Sequence, residues 1–98
     1  MLTEKQMTEI AKKHVKEIEK ISNIKVAIGY EVTIKKPYGN IFFYTSKKFA
    51  ETGDTKYAIA GNAPFLVENK TGNIVRFGTS ESDDYYIEEY EAGRWPIK

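Results

Sequence analysis

The sequence contains no cysteine, a single histidine and only three prolines. Without thiols there is no disulfide framework and no thiolate site, a pattern that suits a reducing cytoplasm. One histidine and no cysteine also argue against a transition-metal centre of ordinary ligand type. No apolar run approaches the roughly 20 residues that span a bilayer. Residues 1–10 carry charges and lack a signal-like apolar stretch, so neither export nor a membrane partner is expected. A net charge of +1 provides no global basic field for nucleic acid. Catalytic signatures are missing too: there is no Gly-x-Ser-x-Gly, no phosphate-cradling loop followed by GK[ST], and no dinucleotide fingerprint. The acidic residues fall mostly on expected exposed helix positions, away from the facing arrangement that acid–base chemistry needs. The expectation is a protein that is not an enzyme and holds no cofactor.

What is present suits one α+β domain covering residues 1–98, 41% hydrophobic and 30% charged. Thr3 followed by Gln6 fits a capping box and predicts a helix from Glu4. Met7, Ile10, Ala11, His14, Val15, Ile18 and Ile21 recur at three- and four-residue steps, one apolar stripe that Ser22-Asn23 ends. His14 lies on that stripe and reads as a packed or boundary residue. From Ile24 to Ile34 the period becomes two, which predicts one long strand with Ile24, Val26, Ile28, Tyr30, Val32 and Ile34 on its buried face. Lys36-Pro37-Tyr38-Gly39 is a turn, and the chain returns through residues 41–46. Ile41-Phe42-Phe43-Tyr44 is apolar on both faces, as a central strand would be.

Residues 47–55 read as a connection, and residues 55–60 suit either a helical turn capped by Asp54 or an extended segment. Ala60-Gly61-Asn62-Ala63-Pro64 combines residues tolerant of positive φ with a proline, a bend feeding the strand Phe65-Leu66-Val67. Asn69-Lys70-Thr71-Gly72 turns it back into residues 74–77, with Gly72 expected at positive φ. Ser80 or Ser82 caps a last helix with Tyr86, Ile87 and Tyr90 inward and Gly93 at its end. The predicted architecture is a four-stranded antiparallel sheet of two hairpins with an N-terminal and a C-terminal helix packed on it. The long first strand offers an edge for pairing, so the expected state is a monomer or weak homodimer.

Charge is unevenly spread. Residues 1–48 hold ten Lys against five Glu, and residues 49–98 hold five Lys/Arg against nine Asp/Glu. Between Glu81 and Glu91 there are six carboxylates and no basic residue. Capping and the helix dipole account for Asp83 and Asp84 better than a hard cation does, because the alternating Asp loop of a calcium hand is absent. Seven tyrosines exceed what a core of this size readily satisfies, and tyrosine beside charge is the composition of protein-recognition surfaces. Asp83, Asp84, Tyr85, Glu88 and Glu89 are therefore the candidate partner-binding residues.

The order of motifs resembles a known family. Phe49-x-Glu51-Thr52-Gly53-Asp54, then Ala60-Gly61-Asn62-Ala63-Pro64-Phe65, Thr71-Gly72, Phe77-Gly78-Thr79 and Tyr86-Ile87-x-x-Tyr90-Glu91 resemble the immunity protein 35 family, the YrhB-type domain. Glu51, Thr52, Gly53, Asp54, Gly61, Asn62, Ala63 and Pro64 form its motif, read here as structural. The resemblance implies an α+β fold and a cytoplasmic immunity protein of a bacterial polymorphic toxin system that binds and neutralises a cognate toxin. One branch of the family is associated instead with chaperone-like activity, which would need exposed apolar surface around Phe42, Tyr44 and Trp95. A third reading is ligand binding in a cleft between sheet and helix. The family commonly carries tryptophan where this chain has Asn40.

Overall fold

The computed structural model describes residues 1–57 and 63–96. Helix α1 (Glu4–Ser22) begins in the expected capping box, with Thr3 and Gln6 each accepting the other's backbone N–H, and ends at Asn23 in the left-handed region. Three short strands and two more follow in chain order: β1 (Val26–Ile28), β2 (Ile34–Lys36), β3 (Gly39–Phe42), β4 (Tyr44–Ser46) and, after a short helix α2 (Lys47–Thr52), β5 (Phe65–Glu68). The chain closes with β6 (Ile74–Arg76) and helix α3 (Asp83–Glu91). All pairings are antiparallel. One sheet runs β2-β3-β5-β6, and a separate ribbon pairs β1 with β4.

The α+β class and the two terminal helices agree with the sequence reading; the single sheet does not. The expected long strand from residue 24 to 34 is broken by a 3₁₀ turn at Tyr30–Val32. There the Gly29 carbonyl accepts from Val32 and the Tyr30 carbonyl from Thr33. The break changes which face the chain presents. Val26 and Ile28 join the core under α1, whereas Ile34 joins the core under α3. Ile24, Tyr30 and Val32, expected inside, are exposed. The long edge expected for pairing with a second copy is accordingly replaced by two three-residue strands.

Both faces of the four-stranded sheet are covered, which explains the unbroken apolar run through residues 41–44. Phe42, Phe65 and Val67 meet Met7, Ala11 and Val15 of α1, while Ile41 and Leu66 meet Tyr86 and Ile87 of α3. Full burial of each such side chain contributes about 1.5–3 kcal/mol before entropy is counted. His14 packs edge-on against Phe65 with ring centroids 4.6 Å apart, as a boundary residue. Ile21 departs from the expected stripe: it is 86% exposed.

Residues 47–52, read from sequence as a connection, form α2. Ser46 caps it by accepting the Phe49 N–H, and Gly53 stops it at φ 70°. Asp54 then accepts the Lys56 N–H at the start of a 3₁₀ turn, Thr55–Tyr57, the helical alternative for that part of the chain. Gly72 has the expected positive φ.

Candidate functional site

Helix α3 lies on the sheet through Tyr86 and Ile87 and turns its carboxylates outward. Ser82 is the cap, accepting the Tyr85 N–H at 3.2 Å, and Asp83 and Asp84 occupy the first turn where the helix dipole favours negative charge. The Tyr86 ring anchors the helix. It packs edge-on to Trp95 at 4.9 Å and stacks on Phe77 at 6.1 Å, and its hydroxyl meets that of Ser80 at 2.9 Å. Trp95 is in turn held by its indole N–H, which donates to the Arg76 carbonyl at 2.9 Å.

Two further tyrosines are committed to the fold. Tyr38 donates to Glu91 at 2.7 Å, and Tyr90 donates to Glu68; their rings lie 4.9 Å apart. Burial, reinforced by Glu91, raises the Tyr38 phenol above its ordinary value, and burial with the Glu68 hydrogen bond pushes Tyr90 up to about 12. Neither phenol exchanges a proton near neutral pH. Two of the seven tyrosines are thus tied to carboxylates.

The sequence-derived partner-binding residues divide into two groups. Glu89 is engaged by Arg94, whose Nε lies 2.8 Å and Nη2 2.5 Å away, and that hydrogen bond holds the carboxyl below its ordinary value. Glu91 is similarly lowered by Tyr38 and by Lys36 at 3.4 Å. Asp83, Asp84 and Glu88 are exposed, and no described basic group lies within ion-pair distance of them. Tyr85 stands among them, 43% exposed and edge-on to Tyr86 at 5.2 Å. The free part of the surface is therefore Asp83, Asp84, Tyr85 and Glu88, with Glu89 acting as the clamp on the tail.

The motif residues do different work. Glu51, Thr52, Gly53 and Asp54 build the end of α2: the Thr52 hydroxyl donates to the Lys48 carbonyl and accepts the Asp54 N–H. Pro64 is buried at the entry to β5, where its carbonyl accepts the Phe77 N–H at 3.0 Å. Ala63 is half-buried beside it, and Gly61 and Asn62 lie outside the described residues. Asn40 is 3% exposed and donates to Glu4 at 2.5 Å, so it ties β3 to α1. Phe42 is buried and Trp95 half-buried, which removes most of the apolar surface that the chaperone-like reading required.

One feature escaped the sequence reading. At the far end of α1 an open cleft of about 620 Å³ is lined by Lys25, Lys47, Lys48 and Lys56 around Ile24 and Tyr57. The excess of lysine in the first half of the chain was the only trace of Lys25, Lys47 and Lys48, and nothing pointed to Lys56, since the four residues come from three separate segments. No described group of three or more His, Asp or Glu side chains is placed to hold a metal ion, and no described helix is long and apolar enough to cross a membrane.

Comparison with known proteins agrees with the motif order. The uncharacterized protein YrhB of Escherichia coli (strain K12) is 38% identical over 53 residues, covering 54% of this chain and 56% of that protein. The matched region thus spans about half the length of this curated relative. No solved structure matches. The family model described as immunity protein 35 matches residues 5–93, nearly the whole fold from α1 through α3, and on that ground the chain belongs to the immunity protein 35 family.

Proposed function

We propose that this chain is an immunity protein that binds a cognate bacterial toxin domain and neutralises it without chemistry of its own. The observation that carries the reading is the family match from residue 5 to residue 93. The exposed face of α3 supports it. Around Tyr85, Asp83, Asp84 and Glu88 present exposed carboxylates with no ion-pair partner among the described residues, a combination that accelerates encounter with a basic partner and offers an aromatic anchor once bound. The neutralised partner is accordingly a toxin domain with a basic face, such as one that grips nucleic acid. Binding takes place in the cytoplasm, before the toxin can act on the cell that makes it.

Co-expression with the toxin domain encoded beside this chain tests the reading. Growth should be rescued, and the two proteins should co-elute as one complex on gel filtration. Continued killing with no complex would overturn it.

A further inference from the structure

The lysine cleft carries an inference of its own. Lys48 and Lys56 both converge on Tyr57, each ammonium 5.2 Å from the ring centroid. Attraction to the ring's face offsets part of their mutual repulsion, and two like charges over one ring favour an anion close by. Lys56 has Asp54 at 3.6 Å. No described carboxylate lies within ion-pair distance of Lys25, Lys47 or Lys48, and Glu51 is the one carboxylate among the described lining residues. The basic rim continues past Lys25 into an adjoining groove with Lys16 and Lys20. The one carboxylate there, Glu19, is occupied by the Val26 N–H at 2.7 Å.

The floor between these lysines is apolar and open. Ile24 is 42% exposed and lines the cleft beside Tyr57. We propose that this cleft docks an acidic segment of a partner protein, its carboxylates set among Lys25, Lys47, Lys48 and Lys56 and an apolar side chain of the segment seated on Ile24 and Tyr57. Charge complementarity selects the acidic character, and the exposed isoleucine selects a polypeptide. A nucleic-acid strand would need a continuous basic face, and this chain has a net charge of only +1 with an acidic helix elsewhere on its surface. The site is independent of the acidic face of α3, and it holds whether or not the partner is a toxin.

The test uses the full chain, labelled with ¹⁵N and titrated with a short synthetic peptide of alternating Glu and Leu. Amide shifts are expected at residues 23–26 and 46–48, weakening as salt is raised. A peptide with Gln in place of each Glu should produce none. Lys47→Glu combined with Lys48→Glu, both at exposed positions, should weaken binding about tenfold or more while leaving the circular-dichroism melt in place. Equal binding of the Gln peptide, unchanged affinity in the charge-reversed chain, or preferential binding of a single-stranded oligonucleotide would each overturn the proposal.

Discussion

At Gly39, φ is +154° and an added Cβ would run into the Val67 carbonyl of the neighbouring strand. The residue follows the Pro37-Tyr38 turn and is paired with both Lys36 and Glu68, so β2, β3 and β5 all meet there. Gly39→Ala should destabilise the fold by about 1–3 kcal/mol, read as a lower urea midpoint; an unchanged midpoint would contradict the close approach. His14 makes a second residue-level prediction. Burial first, and Arg76 second, lower its pKa below the ordinary 6.5. The unfolded chain therefore takes up a proton before the folded one as pH falls through 6.5. Stability supported by neutral His14 is present above that value and is lost progressively as pH falls through the lowered folded value. The loss in urea stability from about pH 8 to about pH 5 should be smaller in His14→Gln than in the parent chain. Equal losses would mean that the imidazole is not held neutral.

At the scale of elements, caps carry much of the order. Gly53 ends α2 at φ 70° with open space where a Cβ would lie, so the penalty for a side chain is conformational and not steric. Gly53→Ala should cost roughly 1 kcal/mol and Gly53→Asn less, since Asn tolerates the left-handed region. Thermal melts of the two variants that coincide with one another, both well below the parent, would point to a different role. The same element shows what the sequence displayed and what it hid. Ser46 and Gly53 are a cap and a stop in plain view, but six residues whose one large apolar side chain is the half-buried Phe49 are too few to establish a helical period. The helices α1 and α3 were legible from caps and stripes, and the β5–β6 hairpin from its turn. The break at Gly29 was not, because Tyr30 and Val32 kept the alternation going through residues that the structure exposes. Period two reports which residues are apolar and cannot report a three-residue turn that exchanges the two faces. Of the candidate site, the exposed carboxylates on α3 followed from spacing, whereas the pairing of Glu89 with Arg94 depends on how the tail folds back.

Considered whole, the molecule separates its charges. An acidic, tyrosine-bearing helix face lies on the α3 side of the sheet, and a lysine-rimmed cleft lies at the end of α1, although the net charge is only +1. Such a bipolar surface gains chiefly in association rate, and that gain falls with ionic strength. Partner capture by the α3 face is best measured as protection against the neighbouring toxin domain by a chain carrying Asp84→Lys and Glu88→Lys. Both positions are exposed and lie outside the core, so folding should be retained, as a parent-like melt would verify. Protection should be lost, and the association rate should fall by about tenfold or more. Full protection by the folded, charge-reversed chain, with an unchanged association rate, would contradict it.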